Sequence, residues 1–227
     1  FGYADKNDNI FYISNGILPV RNEKYNWKGV VPGNTRETLW TEYHKTDELP
    51  QVLNPESGYL YNANNTPFKS TSTNENPNSQ DFPKEMGYSL YDNNRSTRIY
   101  ELIESYEKID FSDFKSIKFD YKYPTPFTFN FVDVNEIMEM NPEDYPDISD
   151  IILEIQNWDR STNSDSLGAG IFAMFYYNLG NYIRKPYINR NLSKNLIAQM
   201  LRDVKAYMVK HFNKTNVRLG EYQKLVR

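Results

Sequence analysis

"VLNPESGYLYNANNTP", residues 52 to 67, sets an alternating aromatic and aliphatic run against three asparagines in the four positions 62 to 65. Asn54-Pro55-Glu56-Ser57-Gly58 has the composition of a tight turn feeding a strand. In that strand Tyr59 and Tyr61 face one side, Leu60 and Asn62 the other. Asparagine is a poor strand residue, and Asn64 and Asn65 fall where Thr66-Pro67 stops the ladder. Two readings of the cluster follow. Asparagine at a strand end is most often a turn former. A carboxamide held rigidly there can instead donate an N–H to a developing oxyanion, as asparagine does in acyl transfer.

Upstream of this stretch the chain reads as strands and loops. "FGYADKNDNIFYIS" is a hairpin, Phe1 to Tyr3 and Ile10 to Ser14, turning across Lys6 to Asn9. It begins without an initiator methionine, and we expect these residues to be a piece of a longer polypeptide. Residues 69 to 94 are polar, without helical period, and read as a surface loop.

Downstream the period becomes helical. Ile99, Leu102, Ile103 and Tyr106 form one apolar stripe. Ser112 is placed to cap a short helix carrying Phe114 and Ile117, and 133–140 is a candidate helix. Ile148, Ile151, Ile152 and Ile155 form a further stripe running to Trp158. Ser164 or Asp165 is placed to cap a helix over 166–182, and a last helix covers 193–212 with Leu196, Met200, Leu201, Val204 and Met208 inside. The plan is α+β, a strand-rich part over 1–95 followed by a helical part over 96–227.

Composition narrows the function. A formal charge of −4 shows no basic bias and argues against nucleic acid as a partner. With no cysteine there is no disulfide, thiolate metal site or cysteine nucleophile, and two histidines cannot make a multi-histidine metal site. The longest apolar run, 167–183, holds three glycines and two asparagines and suits a buried helix better than lipid. No G-x-S-x-G, P-loop, H-E-x-x-H or dinucleotide fingerprint is present. Trp27, Trp158, Tyr59 and Tyr61 read as core, and Asp159-Arg160 as a structural pair at a helix end. N-x-[ST] triplets, those at Asn64, Asn191 and Asn213 among them, are expected by chance in a chain this rich in asparagine.

Several segments together resemble the β-chain of the penicillin acylase family. "NWKGVVP" (Asn26 to Pro32) followed by "VLNPESGYLYNANNTP" is similar to its middle. "FGYADKNDNIFYISNGILPVR" resembles its hairpin of the form "ADxxGNIxYxxxGxxPxR". "DELPQVLNP" (Asp47 to Pro55) resembles the approach to the NP turn, and "NNRSTRIYELI" (Asn93 to Ile103) its arginine-bearing helix start. "NWDRSTNSDSLGAGIFAMFY" (Asn157 to Tyr176) and "VRLGEYQKLVR" (Val217 to Arg227) are similar to the acyl-homoserine-lactone and aculeacin acylase branch. Each segment is modest alone; their order along nearly the whole chain makes the resemblance specific.

The resemblance implies part of an N-terminal-nucleophile αββα sandwich. In such enzymes a precursor cleaves itself and exposes a serine whose α-amino group is the base. An acyl-enzyme on that serine is then hydrolysed. It implies that Asn64, in "NANNTP", holds the oxyanion, where losing a donor costs on the order of 3 kcal/mol. It also implies that Arg95 helps to order the nucleophile's amino terminus and that asparagine. The nucleophile is expected outside these residues, so that this piece alone is inactive. The expected substrate is a small N-acyl amide, either an acyl-homoserine lactone or one with a penicillin-like side chain. The other parts of the precursor, its α-chain and nucleophile-bearing segment, are the expected partners. No cofactor is required for the chemistry; a structural calcium belongs to the full protein. Localisation is expected to be periplasmic or secreted, with no membrane partner. The competing expectation is a non-catalytic module binding carbohydrate or another protein through its Tyr- and Asn-rich surface.

Overall fold

A computed structural model describes residues 1–129, 132–184 and 192–224. The chain divides into two compact units, Phe1–Ser96 and Thr97–Arg227, each described by itself.

In the first unit Gly2–Ala4 (β1), Ile10–Ile13 (β2) and Gln51–Leu53 (β3) form one antiparallel sheet in that order. The hairpin read from the sequence is present, with Gly2 opposite Tyr12 and Ala4 opposite Ile10. Asp5 organises its turn, accepting the Asn7 and Asn9 backbone N–H groups at 2.8 and 3.0 Å and the Asn9 side-chain amide. The bonds from Asn9 and then Asn7 hold the Asp5 carboxyl below its ordinary range. β3 pairs Val52 with Tyr12. Tyr12, Ile13, Leu49, Val52, Tyr61, Ala63 and Met86 are the buried apolar residues of this unit.

The strand expected at residues 59–62 is extended chain without a ladder. Asn54, at φ 46°, accepts the Ile10 N–H at 2.8 Å and ends β3. The turn closed by Gly58 N–H on the Pro55 carbonyl, 3.0 Å, leads the backbone off the sheet, with Gly58 at φ 73°. Single bonds then replace ladder partners: Tyr61 N–H to the Ser70 carbonyl, and the Thr71 hydroxyl to the Tyr59 carbonyl, both 2.9 Å. Tyr59 and Tyr61 still lie side by side, ring centroids 6.4 Å apart. The first third therefore holds only three short strands among the described residues. The segment read as a surface loop is anchored at its start. Ser70 and Thr71 are buried, with both N–H groups on the Asn76 side chain at 2.6 and 3.1 Å. Three 3-10 turns follow, at Thr73–Glu75, Ser79–Asp81 and Lys84–Met86.

Helix α1, Asn94–Ile103, carries the unit boundary. Its stripe is half-buried at Ile99, Leu102 and Ile103, and Tyr106 lies beyond its end, exposed. Helix α2, Phe111–Lys118, is capped by Asp110 with Asp113 rather than by Ser112. Asp110 accepts the Asp113 N–H at 2.8 Å while Asp113 accepts the Asp110 N–H at 3.1 Å. Where a helix was expected over 133–140 there is a 3-10 turn, Asn135–Glu139. The Asn135 carboxamide is engaged with both backbone groups of Phe127, at 2.8 and 3.1 Å, and Pro142 cannot extend the helix.

The core of the second unit lies among α3 (Ser149–Gln156), α4 (Leu167–Ile183) and α5 (Lys194–Phe212). The isoleucine stripe of 148, 151, 152 and 155 is buried, as its period demands. In α5 Met200, Leu201, Val204 and Met208 face inward, with Ile197 buried ahead of the half-buried Leu196. The cap of α4 is Ser166, accepting Ala169 N–H at 3.1 Å, one residue beyond the expected pair. Two glycines let α4 pack closely. A Cβ on Gly168 would stand 2.4 Å from Trp158, and one on Gly170 2.4 Å from the Val217 carbonyl, just ahead of α6 (Leu219–Tyr222). No helix of the described residues is long and apolar enough to cross a membrane. The α+β class stands, with less sheet than the sequence suggests.

Candidate active site

The asparagine cluster is a turn whose side chains hold its own backbone. Asn64 adopts φ 61°, a left-handed conformation that asparagine tolerates better than most residues. Its N–H donates to Asn62 Oδ1 at 3.1 Å, and Asn62 also hydrogen-bonds the buried Tyr12 hydroxyl of β2. Burial pushes that Tyr12 hydroxyl up, with the Asn62 and Ser14 bonds opposing it. The Ala63 N–H donates to Asn65 Oδ1 at 2.7 Å. Asn65 Nδ2 donates in turn to the carbonyls of Thr66, at 3.2 Å, and Lys69. Asn62 and Asn65 are turn-makers.

Asn64 differs because its side chain points away from the turn. It is exposed, and its Oδ1 accepts from Arg95 Nη2 at 2.8 Å. A guanidinium can only donate, so the carboxamide has one orientation: oxygen towards Arg95, Nδ2 N–H groups outward. No acceptor among the described residues meets Nδ2. The guanidinium charge on the oxygen polarises the amide and makes the outward N–H groups better donors.

Arg95 reaches this position from the first turn of α1. Asn93 caps that helix, its Oδ1 accepting the Ser96 N–H at 3.1 Å while Ser96 Oγ accepts the Asn93 N–H at 3.3 Å. Asn93 Nδ2 also donates to the Ala63 carbonyl at 3.1 Å, across 30 residues of sequence. Below the cap Asp92 accepts the Asn93 N–H at 2.9 Å, the Ser96 hydroxyl, and the Lys69 ammonium at 3.3 Å. The helix start and the asparagine turn are thus joined by three side chains, those of Arg95, Asn93 and Lys69. The first joins the two residues singled out from the sequence, while Asn93 and Lys69 were missed. An Asn-x-x-Ser pattern at the onset of a helical period was the available signal for Asn93. Chemically the cluster offers stabilisation of negative charge: outward N–H donors, a guanidinium behind them and a helix N-terminus nearby.

The sequence model of the penicillin amidase family matches residues 1–226. The chain belongs to the penicillin amidase family. Penicillin G acylase of Escherichia coli is 40% identical over 67 residues, which is 30% of this chain and 8% of that protein. The solved structure of a thermostable penicillin G acylase from Alcaligenes faecalis superposes with a TM-score of 0.63 at 14% identity. It covers 97% of this chain and 48% of that one. At that identity the likeness speaks for the fold. The chain spans about half the length of that solved family member and a far smaller share of the curated one.

For a penicillin amidase the resemblance implied a structural calcium. Calcium needs six to eight oxygen ligands, and the described residues contain no cluster of three or more His, Asp or Glu suited to a metal. Asp92 is committed to Lys69, Asn93 and Ser96. The residues described do not by themselves fit a calcium site. Trp158 is buried among Tyr123, Phe127 and Phe172 and fills core. Trp27 is half-buried, its Nε1 donating to the Asn22 carbonyl at 2.8 Å. Asp159 and Arg160 are structural through other partners: Asp159 pairs with Lys122 at 3.1 Å, and Arg160 lies 4.1 Å over the Phe127 ring. Asn191, the first residue of its triplet, and the last three residues of the Val217–Arg227 segment lie outside the described residues.

Proposed function

We infer that this chain supplies the oxyanion side of an amidohydrolase. It cleaves N-acyl amides through an acyl-enzyme on an N-terminal serine carried outside these residues. The observation that carries this reading is the Arg95–Asn64 hydrogen bond, which turns the Asn64 N–H groups outward on a penicillin amidase chain. As the serine attacks, negative charge collects on the carbonyl oxygen. Asn64 Nδ2 donates to that oxygen together with a backbone N–H near the nucleophile. Arg95 keeps the carboxamide from flipping and strengthens its donors. The intermediate collapses as the C–N bond breaks, and the amine leaves with the proton that the serine α-amino group took from the hydroxyl. Water then hydrolyses the acyl-enzyme to the acid, with no cofactor in the chemistry.

The finer reading rests on the sequence segments that resemble the acyl-homoserine-lactone and aculeacin branch. On it, fatty N-acyl amides such as acyl-homoserine lactones are preferred, and the protein matures by self-cleavage in the periplasm or after secretion. Residues 1–95 belong to an αββα core and 96–227 to a helical subdomain of one larger penicillin amidase domain. The chain works with the α-chain and the nucleophile-bearing segment of the same precursor. Any structural calcium takes most of its ligands from those parts.

The test is hydrolysis of a panel of phenylacetyl, medium-chain and long-chain N-acyl amides by the intact protein, with mass spectrometry for an acyl-enzyme. Acid release with an acylated N-terminal serine is expected. Activity confined to β-lactams refutes the lipid preference, and no hydrolysis of any member refutes the enzyme. Residues 1–227 alone are expected to form no acyl-enzyme; stoichiometric acylation of that piece overturns the placement of the nucleophile.

A further inference from the structure

The peptide that joins Ala63 to Asn64 is held from both sides. Its N–H donates to Asn62 Oδ1 at 3.1 Å, and its carbonyl accepts from Asn93 Nδ2 at 3.1 Å. Holding that plane sets the direction of the N–Cα bond of Asn64, whose φ is 61°, and so bears on where its side chain leaves the backbone. The far end of the same side chain is held by Arg95 at 2.8 Å. Asn93 and Arg95 sit two residues apart at the start of α1, and the Asn93 oxygen accepts the Ser96 N–H that begins the helix.

We propose that Asn93 is a positioning residue for the oxyanion donor, with its two side-chain ends doing different work. Its oxygen caps α1 and so places Arg95; its nitrogen holds the backbone that aims Asn64. Both grips on Asn64, one on its main chain and one on its side chain, therefore originate from one helix turn. A displacement of α1 would move both together and keep them in register. This rests on the reading of Asn64 as the oxyanion donor.

Serine and aspartate cap helices about as well as asparagine, but neither can donate to the Ala63 carbonyl from a side-chain nitrogen. Asn93→Ser in the intact enzyme, assayed on a chromogenic N-acyl anilide, therefore separates the two ends. The expected result is turnover lowered about 10- to 100-fold, the scale on which small misplacements act, with KM and melting temperature little changed. In an Asn64→Ala background the same change should lower turnover no further. Wild-type turnover for Asn93→Ser, with Asn64→Ala still slow, makes Asn93 only a cap and overturns the proposal while leaving the Asn64 reading intact. Wild-type turnover for Asn64→Ala overturns both. If Asn93→Ser does not fold, Asn93→Asp is read in the same way. If neither folds, Asn93 is a determinant of the fold and the positioning role is refuted.

Discussion

Asn64 shows how one side chain can satisfy two readings of the same sequence. Its φ of 61° makes it a turn residue, while its carboxamide is gripped at the oxygen by Arg95. The grip predicts a division of effects. Arg95→Ala should lower turnover of the intact enzyme about 10- to 100-fold, because the amide is released to flip or swing. Arg95 is exposed, so unfolding free energy should change by no more than about 0.5 kcal/mol. Kinetics paired with urea denaturation checks this, and a loss of stability matching the loss of rate contradicts it. Asn64 is singled out through the "NANNTP" resemblance, but the direction of its amide was not legible. That direction depends on a partner 31 residues away, across a polar segment with no periodicity to fold by eye. Asn93 was hidden for the same reason, since its second bond crosses that segment too.

Among the elements, those whose order comes from burying one face were the legible ones. The isoleucines of α3 and the inner positions of α5 are buried where a 3.6-residue period puts them. Ile155→Ala, at a fully buried position, should cost about 2–5 kcal/mol in denaturant unfolding. Elements decided by side-chain hydrogen bonds were misread: the missing strand at 59–62, the 3-10 turn at 135–139 and the cap at Asp110. Gly170 carries a prediction in which two effects oppose. Alanine favours helix by about 1 kcal/mol, but its Cβ would meet the Val217 carbonyl at 2.4 Å, and a backbone atom cannot swing aside. Gly170→Ala should therefore be destabilising by about 1–3 kcal/mol, and a raised melting temperature would contradict the close approach. A pH effect belongs at this scale as well. Arg98 holds Asp120 through two bonds of 2.9 and 3.0 Å. Burial pushes the Asp120 carboxyl up, but the Arg98 bonds and the Lys122 N–H outweigh it and hold it below its ordinary range. A depressed folded value means that the stabilisation is complete above the unfolded value of about 3.9. It is lost as pH falls through the folded one. Asp120→Asn should therefore flatten the acid limb of the urea midpoint against pH, whereas an unchanged limb removes Asp120 from that role.

At the scale of the whole molecule, the chain is a penicillin amidase segment covering 48% of a solved family member. On the proposed reading it contributes a rigid donor rather than a bond-making group. Asn64 and Arg95 both lie within the first compact unit, so the donor is aimed by contacts internal to that unit. If the nucleophile is created by cleavage elsewhere, as proposed, the proposed oxyanion donor does not wait on that event for its shape. The most direct test is Asn64→Ala in the intact protein, measuring turnover of an N-acyl amide alongside melting temperature. Turnover should fall about 10²- to 10³-fold while the melting temperature stays within a few degrees of wild type. Unchanged turnover, or a loss of activity that merely follows a loss of folded protein, would contradict the role of Asn64 as the oxyanion donor.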